Sequence, residues 1–254
     1  MGVQDPDVIS AAVILAAGEG RRLRPLTDDL PKVMLPLGGR PLLEHLIVRC
    51  RSFGVTDVYV NLFHAASRIT DHFGDGDGFG LRMHYLHLEA LRPPLIDVRV
   101  FARDIPHSFF VLYGDVATVL DLSALAGFHR ARRADATLVV RPTDHPHDSD
   151  LVALAGDGRI QRFVPKGGWD GAPEPLGNAG CYVLRPELVL AEPYVEGTDF
   201  IDGLFEPALG RRRLLGFVSH DWMLDIGTPE RYQRARREFP HAISAPSAPG
   251  SART

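Results

Sequence analysis

Lysine is scarce in this sequence. Of the 28 basic residues only two, Lys32 and Lys166, are lysine, and the rest are arginine. A lysine ammonium is a compact point charge on a slim stem, whereas the arginine guanidinium is a wide planar fork. A chain that uses arginine almost everywhere is expected to keep lysine where a compact charge is needed. Both lysines are therefore candidate functional residues.

Other scarcities exclude whole classes of protein. The two cysteines, Cys50 and Cys181, lie far apart, which is typical of reduced buried thiols in a cytosolic protein. No apolar run approaches the ~20 residues of a membrane span, and the opening MGVQDPDVIS lacks the regions of a signal peptide. The net charge of -4 gives no indication of a basic surface that would bind nucleic acid or an anionic membrane. We expect a cytoplasmic globular protein that binds neither nucleic acid nor a membrane.

Apolar and amphipathic segments alternate along the first half of the chain. Residues 8–17 and Phe109–Tyr113 are apolar strand candidates, and helical patterns separate the strand candidates between them. Strands that alternate with helices predict a largely parallel sheet covered on both faces. In the second half, Leu151–Leu154 and Ile160–Val164 flank the turn sequence GDG and predict a hairpin. The sequence therefore predicts an α/β protein with a smaller β-rich part.

Residues 13–45 read VILAAGEGRRLRPLTDDLPKVMLPLGGRPLLEH. An apolar strand breaks into a loop with Gly18 and Gly20, and arginines and Lys32 follow. Glycines let the backbone approach an anion closely, and free backbone N–H groups and fixed cations hold it. Position 23 is leucine instead of a third glycine, and Gly-Lys-Ser/Thr is absent, so neither a dinucleotide fingerprint nor a P-loop is present. The segment predicts a phosphate-binding loop of another kind.

The combination of AAGEGRRLRPL with PKVMLPLGGRPLLEH resembles the signature of sugar-1-phosphate nucleotidyltransferases, which make nucleotide sugars. The resemblance implies a Rossmann-like, mixed and mostly parallel sheet flanked by helices, with a small sugar-side lobe. It also implies that Arg22 holds the β- and γ-phosphates, and that Lys32 contacts the α-phosphate and the sugar phosphate. The other nucleotide contacts that it implies are Leu15, Ala16, Ala17, Gly18, Glu19, Gly20, Arg21, Glu89 and Gly114.

Two aspartates are the candidate metal ligands. Asp115 follows an apolar strand in VLYGDV, and ligands of open α/β sheets sit outside the carboxyl ends of strands. The resemblance pairs Asp115 with Asp225 of WMLDIGTPERY, and two carboxylates suit Mg²⁺ held together with substrate phosphates. The expected cofactor is therefore Mg²⁺, and the catalytic set is Arg22, Lys32, Asp115 and Asp225.

The sugar-side residues follow from the same resemblance. Lys166 in RFVPKGG matches the lysine that binds the sugar phosphate, but Pro165 stands where the family usually has a glutamate that binds sugar hydroxyls. Asn178, Ala179 and Gly180 resemble the segment that contacts the sugar ring. The run HPHDSDLV, which begins at His145, resembles heptose-1-phosphate guanylyltransferases and makes Asp150 a candidate sugar ligand. A His–Asp transition-metal cluster in this run is the alternative.

The resemblance implies one domain over residues 1–239. Its nucleotide-binding part spans about 8–142, its sugar-binding part about 143–220, and a segment with the second aspartate and a final helix about 221–239. Residues 240–254 are rich in alanine, serine and proline, and they predict a disordered tail.

The nucleobase loop departs from the family. The family usually has Pro-Leu-Gly-Thr-Ala-Gly after a glutamate matched by Glu89, whereas this chain reads ALRPPLIDVRV. The subgroup resemblance favours GTP and a heptose-like sugar 1-phosphate, but thymidylyl, uridylyl, cytidylyl or adenylyl transfer stays open. A non-catalytic nucleotide-sugar-binding subunit and a glycosyltransferase of similar fold are the rival functions. A homodimer is an open alternative.

Overall fold

The computed structural model describes residues 9–143, 146–169, 171, 175–192 and 197–244. The chain divides into two compact units. We call Ser10–Leu91, Leu112–Ala124 and residues 221–244 the loop unit, because it contains the glycine loop. Arg92–Val111 and Leu125–His220 form the hairpin unit. Residues 92–111 and 125–142, which we expected in the nucleotide-binding part, thus belong to the hairpin unit, because the chain passes between the units several times.

The strands are short, and most of them carry apolar residues. They are β1 (Ala11–Leu15), β2 (Pro36–Leu37), β3 (Arg40–Pro41), β4 (Asp57–Leu62), β5 (Arg82–His87), β6 (Phe109–Tyr113), β7 (Val116–Thr118), β8 (Ala136–Pro142), β9 (Leu151–Leu154), β10 (Ile160–Val164), β11 (Leu176–Leu184), β12 (Leu214–Val218) and β13 (Met223–Asp225).

The α-helices separate the strands of both units. They are α1 (Leu42–Ser52), α2 (Ser67–Phe73), α3 (Pro94–Phe101), α4 (Leu122–Ala131), α5 (Pro186–Ala191), α6 (Glu206–Ala208) and α7 (Pro229–Ser244). Single 3₁₀ turns occur at Arg21–Leu23, Lys32–Met34, Asp77–Phe79 and Pro146–Asp148, and a π-helical turn occupies Ile201–Phe205.

Parallel strands organise the loop unit. β1 pairs with β4 and β4 pairs with β5, both in parallel. Val13 and Ile14 of β1 are fully buried because the strand is apolar on both faces. Helix α1 buries Leu43 and Ile47 at helical spacing, and Gly54 with φ of 89° follows its end. Parallel pairing places the carboxyl ends of these strands at one edge of the sheet.

Antiparallel pairing dominates the hairpin unit. β11 pairs with β8 and β9 in antiparallel fashion, and β12 adds to β8 in parallel. β9 and β10 form the predicted hairpin, whose turn contains Gly158 with φ of 82°. The rings of Tyr182, Phe200 and Phe205 form an aromatic core with centroids 5.2 to 6.0 Å apart.

The predicted fold class is confirmed: the protein is α/β, with a mixed sheet flanked by helices. We did not predict the helix α3. Two prolines and β-branched residues disfavour a helix interior, but Pro94 stands at the first position, where its fixed φ suits a helix. Burial of Leu95, Val98 and Phe101 on one face then stabilises the helix. Short strands β7, β12 and β13 also escaped the sequence analysis.

The chain end departs from the predicted tail. Helix α7 continues to Ser244, five residues into the segment expected to be disordered, even though Pro240 lies inside it. The buried ring of Phe239, 4.8 Å from the imidazole of His45 and 5.5 Å from Trp222, anchors this last turn. Residues 245–254 lie outside the described residues, as do Val8 of the first predicted strand and His145. Among the described residues no helix is long and apolar enough to cross a membrane.

A buried histidine in the hairpin unit is expected to make the stability of the fold sensitive to acid. His129 is 2% exposed, and its ring contacts the Thr137 and Ser108 hydroxyls at 2.9 and 3.2 Å. Burial, with a smaller contribution from Arg185, lowers the pKa of His129 to about 4, and Asp135 opposes the shift. Because the unfolded chain takes up this proton near pH 6.5, the neutral ring stabilises the fold above that pH. The stabilisation is lost as the pH falls from 6.5 to about 4.

We expect the contribution of His129 to lower the free energy of unfolding by about 3 kcal/mol between pH 7 and pH 4. His129→Gln should remove that part of the pH dependence in urea unfolding, whereas His87→Gln, on an exposed strand position, should leave it unchanged. Equal slopes for the wild type and His129→Gln would contradict the assignment.

Candidate active site

A two-stranded ladder brings the two candidate carboxylates together. β7 and β13 pair in antiparallel fashion, with Asp225 opposite Val116. The Ile226 N–H donates to the carbonyl of Asp115 at 3.0 Å, so the backbone of each aspartate lies beside the other. The aspartates are distant in sequence, and the ladder joins them within the loop unit. The structure thus brings Asp115 and Asp225 together.

Lys32 lies between these carboxylates. Its ammonium Nζ is 2.5 Å from Oδ2 of Asp115 and 3.8 Å from Oδ1 of Asp225. The residue is only 8% exposed, because the 3₁₀ turn that it begins packs Val33 and Met34 into the core. A slim side chain is needed to reach the two carboxylates from so enclosed a position. Lysine at this site therefore has a geometric reason.

Polar residues that we did not predict hold the glycine loop through hydrogen bonds. Asn61 on β4 is buried, and its side-chain oxygen accepts the N–H of Ala16 at 2.6 Å. The Thr27 hydroxyl donates to the carbonyl of Gly20 at 2.9 Å, and His64 contacts the carbonyl of Thr27 at 2.9 Å. The role of Asn61 could have been suspected from the sequence, because an asparagine within the apolar strand DVYVNL is expected to be buried, and a buried amide must be hydrogen-bonded.

Gly20 shows why the loop needs glycine. Its φ is 65°, a conformation that other residues rarely adopt, and a Cβ there would lie 3.0 Å from Thr27 and 3.1 Å from Lys32. The loop therefore packs its backbone against the stem of Lys32. Ala16 and Ala17 are buried at the strand end, whereas Gly18 is exposed.

The loop arginines have different surroundings. Arg21 pairs with Glu19 at 2.6 Å, so these two predicted nucleotide contacts neutralise each other at the surface. Arg22 is exposed and makes no ion pair with any residue that the structure describes. A Cβ on Gly227 would lie 3.1 Å from Arg22 Nη2, 3.2 Å from Lys32 Nζ and 2.6 Å from Asp225 Oδ1. Arg22 therefore belongs to the same site as Lys32 and Asp225.

Gly114 and Glu89 complete the predicted nucleotide contacts. A Cβ on Gly114 would lie 2.6 Å from the carbonyl of Leu15, so glycine is required where the end of β6 meets the end of β1. The Gly114 N–H donates to that carbonyl at 2.9 Å. Glu89 is exposed just beyond β5 and contacts no residue of the described chain through a hydrogen bond or ion pair.

The sugar-side candidates cluster in the hairpin unit. The Lys166 ammonium lies 3.8 Å from Asp150 Oδ2, and the Asn178 N–H donates to the carbonyl of Asp150 at 2.9 Å. The Asn178 side chain stabilises a bulge in β11: it donates to the hydroxyl of Tyr182 at 2.9 Å and accepts the N–H of Gly180 at 3.3 Å. Ala179 lies inside that bulge. Asn178 thus has a structural role of its own.

Asp199 is a carboxylate that the sequence analysis missed near this cluster. Burial raises its pKa, and the charges of Asp150 and Lys166 both act on it. By its accessible surface the residue is exposed to solvent. No motif in the surrounding segment, TDFIDGLF, marks this aspartate as a site residue.

The donor set limits what metal the loop unit can hold. The described residues contain no group of three His, Cys, Asp or Glu side chains suited to a metal ion. Asp115 and Asp225 supply oxygen atoms only, and Mg²⁺ is commonly bound by one or two carboxylates, with substrate phosphates and water as the other ligands. The pair therefore fits a cation that arrives with a phosphate substrate.

The fold and the site define a class: an α/β protein with a glycine loop, a buried lysine and a carboxylate pair at the carboxyl edge of a sheet. A model of the nucleotidyl transferase family matches residues 11–241. The chain belongs to this family, and the resemblance drawn from the glycine-loop segment is confirmed.

Relatives with different substrates in their names match the chain. It is 33% identical to the mannose-1-phosphate guanylyltransferase of Mycobacterium tuberculosis over 93% of this chain and 66% of that protein. It is 30% identical to a UTP–glucose-1-phosphate uridylyltransferase of Synechocystis over 94% and 66%. A heptose 1-phosphate guanylyltransferase of Aneurinibacillus thermoaerophilus is 26% identical over 91% and 99%. The chain thus spans just under two thirds of the first two relatives.

Solved structures share the fold. HddC from Yersinia pseudotuberculosis superposes with a TM-score of 0.76 at 23% identity over 91% of this chain and 100% of that chain. A UDP-glucose pyrophosphorylase complexed with UDP-glucose gives a TM-score of 0.76 at 17% identity over 92% and 99%. At these identities the similarity establishes the nucleotidyltransferase fold alone.

Proposed function

We propose that the protein transfers a nucleotidyl group from a nucleoside triphosphate to a sugar 1-phosphate, releasing pyrophosphate. The observation that carries the proposal is the position of the Lys32 ammonium, 2.5 Å from Asp115 and 3.8 Å from Asp225, against a glycine loop. A buried cation beside two carboxylates suits a reaction in which charge moves across phosphate oxygens.

The reaction is a single displacement at the α-phosphorus. An oxygen of the sugar phosphate forms the new bond to this phosphorus, and the bond to the bridging oxygen of pyrophosphate breaks. The pyrophosphate leaves with that oxygen, and no enzyme residue becomes covalently attached. Lys32 lies where it can offset the charge on the α-phosphate, and the exposed guanidinium of Arg22 can hold the leaving pyrophosphate. The enclosed, paired position of Lys32 contributes orientation as well as charge.

Asp115 and Asp225 would hold Mg²⁺ in this reaction. When bound, Mg²⁺ supplies charge neutralisation to the triphosphate and orients its oxygens. The chain's own part is to hold two carboxylate groups side by side through the β7–β13 ladder, with Lys32 close to both. The oxygen-only donor pair supports this choice of cation.

The sugar phosphate is proposed to bind in the hairpin unit. Lys166 is the second lysine of the chain, 63% exposed and 3.8 Å from Asp150. An exposed ammonium suits a phosphate that arrives from solvent, and Asp150 and Asp199 offer carboxylates for sugar hydroxyls. These carboxylates compensate for Pro165, which lacks the acceptor that the family usually places there.

Guanylyl transfer to a mannose- or heptose-like sugar phosphate is the specificity that we propose. Two of the relatives are named guanylyltransferases, and HddC has been solved with GMP-PN. The uridylyltransferase relative makes uridylyl transfer the principal alternative. A homodimer and a cytoplasmic location complete the proposal.

Pyrophosphate release from the purified protein tests this function. We would measure it with Mg²⁺, each of the common NTPs including dTTP, and a panel of sugar 1-phosphates with mannose and heptose. Release that requires one NTP and one sugar phosphate is the expected result. Binding of a nucleotide without release from any pair would favour the rival, a non-catalytic nucleotide-sugar-binding subunit.

Asp115→Asn is expected to lower the rate of release by about 10²-fold or more, because it removes one of two charged oxygen ligands. Asp71→Asn is the matched control, since Asp71 is exposed on α2 and far in sequence from the site. Unchanged turnover in Asp115→Asn, with the control normal, would refute the metal-ligand assignment.

A further inference from the structure

Both carboxylate oxygens of Asp225 already have partners within the protein. Oδ1 accepts the N–H of Gly227 at 2.5 Å and lies 3.8 Å from the Lys32 ammonium. Oδ2 accepts a close charged hydrogen bond from Nη1 of Arg231. The carboxylate proposed to hold a cation is thus paired with a guanidinium that the sequence analysis did not single out.

Helix stability alone gives no reason for arginine at position 231. Helix α7 begins at Pro229, and the Arg231 N–H donates to the Thr228 hydroxyl at 3.3 Å, as at a helix start. The amino end of a helix carries a partial positive charge, which disfavours a cation in the first turn. The contact with Asp225 offsets this cost. The placement of Arg231 therefore depends on the site.

Each carboxylate of the site is paired with a cation before any substrate binds. Asp115 and Asp225 carry two negative charges, and Lys32 and Arg231 carry two positive charges within ion-pair distance. A free divalent cation that approaches Oδ2 of Asp225 meets the guanidinium. A triphosphate offers the guanidinium other oxygens, because arginine binds phosphate with the same geometry as carboxylate.

We propose that Arg231 is a positioning residue that keeps Asp225 closed to free divalent cations until a nucleotide is present. The inference rests on the proposed function, since it assumes that Asp225 is a metal ligand. It goes further in stating that the cation binds with the nucleotide and hardly at all without it. Arg231 then exchanges the carboxylate for phosphate oxygens, with no bond made or broken.

Binding of Mn²⁺ to the nucleotide-free protein tests the inference, with the signal of free Mn²⁺ in electron paramagnetic resonance as the readout. Arg231→Gln is expected to bind Mn²⁺ about tenfold more tightly than the wild type, because a charge next to Oδ2 is gone. Arg231→Lys should stay near the wild type. Arg234→Gln is the control, because Arg234 lies on the same helix and pairs with Glu238 at 2.8 Å.

Unchanged or weaker Mn²⁺ binding by Arg231→Gln would overturn the inference, and thermal unfolding checks that each variant is folded. Asp225→Asn introduced into Arg231→Gln should abolish the added affinity; if the affinity survives, the ion binds elsewhere and the inference is wrong. The proposed function fails separately. If no substrate pair releases pyrophosphate, the reaction is wrong whatever the Mn²⁺ titration gives, and if release occurs without a gain in Mn²⁺ affinity, only the role of Arg231 is wrong.

Discussion

Replacement of Lys32 with methionine is expected to lower kcat/KM for pyrophosphate release by about 10²- to 10³-fold. Methionine keeps the volume of the lysine side chain. It removes a positive charge that lies within 4 Å of both carboxylates. The loss should appear mainly in kcat, because a charge that acts on the α-phosphate contributes most in the transition state. Steady-state kinetics with separate nucleotide binding measure this split.

The arginine substitution makes the prediction sharper. Lys32→Arg keeps the charge, but its planar fork must enter a position that is only 8% exposed, so we expect a loss of at least about 10²-fold. Lys166→Arg is the comparison, because the Lys166 side chain is 63% exposed and has room for a guanidinium. Its loss should be smaller by about tenfold or more. Equal tolerance at the two lysines would contradict the geometric reason for lysine at position 32.

The grouping of Lys32 with Asp115 was predictable because both residues stand in local patterns. The glycine loop, the aspartate after an apolar strand and the rare lysine each carry a signal within a few residues. Parallel strands place their carboxyl ends at one edge, so the pattern places the glycine loop and Asp115 near each other, and the family resemblance adds Lys32 to them. The structure adds the register of β7 against β13, which fixes Asp225 opposite Val116.

Residues that support the site through tertiary contacts were not predictable. Asn61 and His64 lie on or after β4, and no spacing in the sequence relates them to the loop that they hold. In the sequence, nothing distinguishes Arg231 from the other arginines of its helix. Its role is visible only in the structure, where it pairs with Asp225. Helix α3 shows the same limit, since the buried apolar contacts that stabilise it are tertiary and no local pattern predicted them.

Gly227→Ala is expected to reduce kcat by about 10²-fold while the fold remains intact. Gly227 does not require a positive φ, so alanine is compatible with the backbone. The new Cβ would lie 2.6 Å from Asp225 Oδ1 and just over 3 Å from the charged ends of Arg22 and Lys32. All three neighbours are ends of side chains and none is backbone, so the added methyl group displaces the charged groups and leaves the main chain in place. The methyl group therefore displaces the site more than it destabilises the protein.

Two measurements separate these effects. Urea unfolding should show a change in the free energy of unfolding of less than about 1 kcal/mol, whereas pyrophosphate release should fall by the stated factor. Gly78→Ala is the matched control in the same unit, because nothing lies within 4 Å of a Cβ built there. If Gly227→Ala kept the wild-type kcat, the close grouping of Arg22, Lys32 and Asp225 around this glycine would not be the arrangement that performs the reaction. A small loss of stability with a large loss of turnover would show that this grouping is needed in its present geometry.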